Sequence, residues 1–114
     1  MAETIFTKII RKEIPAKIVY EDDLCLAFHD VQPQAPIHVL LIPKKEISST
    51  NSISKEDQEL LGHIWVLIPK IAQELEIADS GYRVVNNCGR EGGQSVDHIH
   101  FHILGGRPLA WPPG

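Results

Sequence analysis

The chain has 114 residues, 43% of them hydrophobic, and a formal net charge of -4: one domain's worth of sequence with enough apolar residues for a packed core. Interspersed charge of net negative sign excludes a sequence-independent nucleic-acid binder, which needs a basic face to neutralise several phosphates, but leaves room for a small ligand carrying one or two. Cys25 and Cys88 stand far apart and fit a reducing compartment better than a disulfide framework. Met1-Ala2-Glu3-Thr4 shows no basic region followed by an apolar run, and no apolar stretch nears the roughly 20 residues of a membrane span. A soluble, cytoplasmic protein with no membrane or nucleic-acid partner is expected.

Thr4 is placed to cap a short helix carrying Ile5, Phe6, Ile9 and Ile10, which ends before Pro15 and must dock its apolar face. Lys17 to Glu21 and Leu24 to Phe28 read as two strands of a hairpin around Glu21-Asp22-Asp23, with His29-Asp30 at the second strand's end. Val31-Gln32-Pro33-Gln34-Ala35-Pro36 is a proline-pinned connection. It leads into the strand His38-Val39-Leu40-Leu41-Ile42, which is nearly all apolar, so a central place is expected, with a stop at Pro43. Ser54 reads as the cap of a long helix in which Leu60, Leu61, Ile64, Leu67, Ile68, Ile71 and Leu75 recur at helical spacing. Pro69 removes one hydrogen bond inside that period, which continues beyond it, so the sequence predicts a kink there and not an end. Tyr82 to Asn86 is a further strand, and the tail Trp111-Pro112-Pro113-Gly114 cannot be helical.

The most informative run is His98-Ile99-His100-Phe101-His102-Ile103-Leu104. Its period of two belongs to a strand, with His98, His100 and His102 on one face and Ile99, Phe101 and Ile103 in a core on the other. One histidine on a polar strand face is ordinary. Three in register repel one another on protonation, which asks for a chemical explanation. Metal is one such explanation, but the cysteines are far apart, no C-x-x-C is present, and the imidazoles stack along a line instead of converging, so no metal site is expected. Nucleophilic catalysis uses all three: a neutral imidazole attacks well near pH 7, a phosphoryl–imidazole bond is labile enough to turn over, and its neighbours can donate to phosphate oxygens or a leaving group.

The loop Gly89-Arg90-Glu91-Gly92-Gly93-Gln94-Ser95 is the second chemical feature. Glycines let backbone N–H groups approach an anion, and Ser95 adds a hydroxyl donor. It matches neither a P-loop nor a dinucleotide fingerprint, and alone it reads as a turn, but it ends three residues before His98 and so can share a pocket with the histidine row. His38 is a fourth candidate histidine; taken alone it reads as a satisfied buried one.

The pattern His-φ-His-φ-His-φ-φ, with φ apolar, resembles the signature of the histidine triad (HIT) family of nucleotide hydrolases and transferases, and all four φ positions match. The resemblance runs nearly end to end and is to the Hint branch, also called protein kinase C inhibitor-like. It is carried by Ile5-Phe6, Ile9 to Lys17, Phe28-His29-Asp30, Pro33-Gln34-Ala35-Pro36, Ile42-Pro43-Lys44-Lys45, Gly92-Gly93-Gln94-Ser95, Gly105-Gly106-Arg107 and Trp111-Pro112-Pro113-Gly114. It implies a single α+β HIT domain over residues 1–114: a five-stranded antiparallel sheet with one long and one short helix, the sheet continued across a homodimer. It also implies hydrolysis of purine nucleoside 5'-phosphoramidates, of the AMP-amine or AMP-lysine type, through a nucleotidyl-histidine, with no cofactor and no metal.

Residue by residue, the resemblance makes His100 the nucleophile and His102 a donor to a phosphate oxygen or the leaving group, with His98 and His38 orienting that pair. Ser95 with the Gly93 and Gln94 backbone looks like the phosphate cradle, Asn87 lies at the phosphate end, and Asp30 matches the position that receives the ribose hydroxyls. Ile5, Phe6, Ile9, Phe28, His29, Val31 and Leu40 would wall the base, and Trp111 would reach the partner subunit's site. Glu46 stands where many relatives have histidine, and Asp97, Pro69 and Arg90-Glu91 also depart from the pattern without removing a catalytic group. A dinucleoside polyphosphate hydrolase of the Fhit type is the alternative enzyme, disfavoured by the Hint-like tail soon after the triad. A non-catalytic nucleotide-binding scaffold dimer and a zinc-binding regulator are the alternatives outside catalysis.

Overall fold

Two central strands that are apolar on both faces give this protein two cores, one on each side of a single sheet. The computed structural model describes residues 3–114; Met1 and Ala2, on which part of the N-terminal reading rests, lie outside the described residues. The strands are β1 (Ile18–Glu21), β2 (Cys25–His29), β3 (Ile37–Pro43), β4 (Tyr82–Val85) and β5 (Phe101–Gly105), all antiparallel in the order β1-β2-β3-β5-β4. β3 is central, as its composition predicts. With the short helix α1 (Ile5–Ile10) and the long helix α2 (Gln58–Glu74) this is the expected α+β architecture.

Strand alternation divides the side chains between the faces. Cys25 and Ala27 of β2, Val39 and Leu41 of β3, and Phe101 and Ile103 of β5 pack with Ile64, Leu67, Ile68, Ile71 and Ala72 of α2. The intervening Leu26, Phe28, Leu40 and Ile42 pack with Phe6 and Ile9 of α1. At about 1.5–3 kcal/mol for each large aliphatic side chain buried, docking Phe6 and Ile9 is what holds α1, since six residues are too few for a helix to persist alone. Thr4 caps α1 as expected, accepting from the Phe6 and Thr7 N–H groups.

Several boundaries differ from the sequence reading for local reasons. β3 takes in Pro43, which pairs with Cys25 on the β2 side, beyond the last β5 pairing at Leu41 and Phe101, so its missing N–H costs no ladder bond to β5. Ser54 caps a 3₁₀ turn over Lys55–Asp57 and not α2 itself: the buried Asp57 carboxylate accepts from the Ser54 N–H at 2.9 Å and from Lys45 Nζ at 2.6 Å. α2 runs on through Pro69, which is exposed beside Trp65, so the freed Trp65 carbonyl lies on the solvent side of the helix.

The largest difference lies in the histidine run, where β5 begins only at Phe101 and His98 and His100 precede it. Their backbone groups have other partners. Ile99 N–H donates to Ile47 O at 2.7 Å, Asn86 Nδ2 donates to His100 O at 2.9 Å, and His98 O accepts from the His100 ring. The Asn86 side chain thus replaces a ladder bond, and β4 stops at Val85. Alternation survives: Ile99, Phe101 and Ile103 face α2, while His98 and His100 pack edge-on to Phe6. The histidine face is therefore a second buried face and not a solvated polar one. No helix among the described residues is long and apolar enough to cross a membrane.

Candidate active site

Short α1 covers only part of its sheet face, and a cavity of about 240 Å³ remains beside it. Its lining includes Ile5, Phe6, Ile9, Phe28, His29, Asp30, Val31, Leu40, Ser95, His100 and His102, all of them named from the sequence. Cross-strand register explains the grouping, because Phe28 pairs with Leu40 and Leu40 with His102, so one row crosses three strands. An adjoining groove of about 650 Å³ shares His29, Asp30 and Val31 and is bordered by Lys17, Pro33 and His38. The wall residues Ile14, Pro15, Ala16 and Val96 were missed. Val96 was within reach, since it continues the alternation of His98 and His100 backwards by one step; nothing in the sequence marks the Ile14–Ala16 turn as wall.

Hydrogen-bond partners assign the ring nitrogens. His100 Nδ1 lies 2.8 Å from the carbonyl oxygen of His98, which can only accept, so in the neutral ring Nδ1 carries the proton and Nε2 the lone pair. The Gln34 backbone N–H donates to His38 Nδ1 at 3.0 Å, which puts the His38 proton on Nε2. That nitrogen is 2.9 Å from His102 Nδ1 and 3.4 Å from Asp30 Oδ2. His102 accepts at Nδ1 and carries its own proton on Nε2. His98 Nε2 donates to the Pro43 carbonyl at 2.8 Å, so His98, buried and outside the cavity's lining, acts as a brace between β3 and the triad segment.

Burial dominates the electrostatics. It pulls the His102 ring, beside His100 and His38, down to about 4. It also lowers His38 against the opposing pull of Asp30, and lowers His98 against its bond to Pro43 and the charge of Glu46. These three rings are therefore neutral near pH 7.

Other expected residues lie elsewhere. Gly93 N–H donates to Arg90 O and Gln94 N–H to Gly89 O, so both backbone donors assigned to the phosphate are spent closing their own loop. The Gln94 side chain donates to Ser48 O and Val96 O, facing away from the cavity, and Asn87 Nδ2 donates to Gly92 O. Ser95 is the one member of that cradle on the wall. Asp30 spends Oδ1 on the Gln32 N–H, the turn-closing role of an aspartate at a strand end. Trp111 is 80% exposed within the chain; Arg83 ties the tail to β4 through the Leu109 and Ala110 carbonyls.

Among the described residues, two groups bring metal-ligating atoms within 4.8 Å of one another: Asp30 with His38 and His102, and Asp22 with Cys25 and His63. In the second group burial pushes the Cys25 thiol up to about 12, away from the thiolate a metal needs. Asp22 there accepts from Tyr20, His63 and two backbone N–H groups, tying the β1–β2 turn to α2.

Comparison with known proteins agrees with this geometry. The HIT domain profile matches residues 11–109. An uncharacterized HIT-like protein from Synechocystis sp. is 61% identical over the full length of both chains. A purine nucleoside phosphoramidase from Escherichia coli K12 is 54% identical over 94% of this chain and 90% of its own. The crystal structure of a HIT family hydrolase from Legionella pneumophila superimposes with a TM-score of 0.96 at 49% identity, covering 98% of this chain and all of that one. A profile spanning most of the chain and relatives this similar place the protein in the HIT domain family.

Proposed function

We propose that this protein hydrolyses purine nucleoside 5'-phosphoramidates through a nucleotidyl intermediate on His100. One observation carries the reading: the bond from His100 Nδ1 to the His98 carbonyl leaves the Nε2 lone pair available on a ring that lines an apolar cavity. The aliphatic and aromatic walls suit a purine, Asp30 the ribose, and Ser95 the phosphate.

In the first step the His100 Nε2 lone pair bonds to the α-phosphorus as the phosphorus–nitrogen bond to the leaving amine breaks. His102 Nε2–H donates to a phosphate oxygen, and the departing nitrogen takes a proton from solvent and leaves as the neutral amine. Positive charge left on the His100 ring meets the His98 carbonyl oxygen 2.8 Å from Nδ1. Water then adds to phosphorus, the bond to His100 breaks, and the proton from water is released to solvent. The sum is phosphoramidate plus water giving nucleoside monophosphate plus amine. Because nucleophile and phosphate donor are both histidines, activity should survive dialysis against a strong chelator; loss on removing a tightly bound zinc, with recovery on its return, would sink this route.

The reading includes a homodimer. β4 is an edge strand, and Trp65 and Val66 on α2 are 53% and 71% exposed, too much apolar surface beside an open edge for a lone chain. Deleting Trp111 to Gly114 should change turnover or substrate preference in a protein that sediments as a dimer; a monomeric wild type would contradict it.

The deciding assay is steady-state hydrolysis of adenosine and guanosine phosphoramidates beside diadenosine polyphosphates. Phosphoramidates should turn over fastest. Faster cleavage of the polyphosphates would make the protein a Fhit-type hydrolase instead.

A further inference from the structure

The turn after β5 has no part in the steps above, yet it is built against the segment that holds His38. Gly106 has φ of 93°, and a Cβ there would come within 2.8 Å of Pro36 Cβ, so glycine alone lets this turn lie on the connection between β2 and β3. From there Arg107 Nη2 donates to the Gln34 carbonyl oxygen at 2.9 Å, and Nη1 donates to the Pro108 carbonyl at 3.0 Å. Gln34 is thereby held at its carbonyl while its N–H donates to His38 Nδ1.

That N–H selects between two forms of the pair. With it in place, His38 carries its proton on Nε2, His102 accepts at Nδ1, and His102 Nε2 keeps a proton. Without it, His38 can hold its proton on Nδ1; His102 Nδ1 must then donate, and His102 Nε2 is left bare. A bare nitrogen repels phosphate oxygens. We propose that Arg107, acting through Gln34, is a positioning residue that sets the tautomer of the His38–His102 pair. Asp30 Oδ2, 3.4 Å from His38 Nε2, favours the same form, so losing Arg107 weakens the preference without abolishing it. The consequence for phosphate contact and turnover rests on the proposed hydrolysis; the tautomer itself does not.

The test records imidazole ¹⁵N shifts of nucleotide-free wild type, Arg107→Met and Arg107→Lys, together with their kinetics. Wild type should show His38 and His102 each unprotonated at Nδ1 and protonated at Nε2. In Arg107→Met both rings should move toward averaged shifts and kcat should fall about five- to tenfold with KM within about twofold, as expected for one lost hydrogen bond. Arg107→Lys, which can still donate to the Gln34 carbonyl, should recover most of both. An Arg107→Met protein with the wild-type ¹⁵N pattern would overturn the proposal. So would one in which kcat, KM and thermal stability fall together, because Arg107 would then be structural. If phosphoramidates prove not to be substrates, the ¹⁵N pattern still decides the role of Arg107.

Discussion

On the α2 side of the sheet, fourteen buried residues from three strands, the 17-residue helix and the segments beside them close over one another, every one of them apolar. On the α1 side, six buried apolar residues and a six-residue helix cover the same sheet and leave a cavity, with His38, His98 and His100 buried nearby. The long helix makes one face a source of stability. The short one leaves the other face room for chemistry, in a setting dry enough to hold imidazoles neutral. The proposed function thus sits where the fold packs least, and substitutions on the two faces should fail in different ways.

The largest expected effect is on the α1 face. His100→Ala should lower turnover by about 10⁴-fold or more while nucleotide affinity stays near wild type, because the attacking atom goes and the base and ribose contacts remain. Turnover close to wild type in this variant would move the nucleophile elsewhere.

Next comes the opposite face. Ile71→Ala, fully buried against the sheet, should cost about 2–5 kcal/mol in urea unfolding and leave the folded protein's kcat intact. Ile9→Ala should show the reverse balance, a smaller stability loss and weaker nucleotide binding by calorimetry. If both act alike, the division of labour between the faces is wrong.

Asp30→Asn should weaken ribonucleotide binding about tenfold and erase any preference for ribose over 2'-deoxyribose, since an amide accepts less well than a carboxylate. Equal affinity of wild type for both sugars would leave Asp30 with only its turn-closing bond to Gln32.

Acid should separate the faces by the smallest margin. His102 titrates at about 4 in the folded chain against an ordinary 6.5, so between those values the unfolded chain binds the extra proton and stability falls as pH falls. For Asp22, burial pushes the carboxyl up, but bonds from His63, Tyr20 and the Leu24 and Cys25 N–H groups outweigh it and bring it from 3.8 to about 2. Its contribution is present above 3.8 and is lost as pH falls toward 2. Urea midpoints measured from pH 7 to 2 should therefore fall in two stages. His102→Gln should make the first shallower, a stage it shares with His38 and His98, and Asp22→Asn the second, which it shares with Asp57 and Glu21.

Much of this arrangement is legible in the sequence because it rests on period and chemistry. The nearly all-apolar run His38–Ile42 gives the central strand, Leu24–Phe28 its hairpin-strand neighbour, the period of two in His98–Leu104 the side that faces α2, and the 3.6 period gives α2 through Pro69. What was not legible is set by side-chain replacement of backbone bonds. Nothing local says that Asn86 will take the His100 carbonyl and delay β5 to Phe101, or that Gly93 and Gln94 will spend their N–H groups on Arg90 and Gly89. The tautomers were equally out of reach, since they depend on Gln34 and Pro43 carrying their backbone groups to His38 and His98.

The proposed function requires the α1 face to present His100 Nε2 to a phosphorus atom. Rapid-quench mass spectrometry of the protein mixed with an adenosine phosphoramidate tests it most directly. A single nucleotidyl adduct should appear on His100 within one turnover and decay as product forms. An adduct on His98 or His102, or turnover with no adduct at any time point, would contradict it.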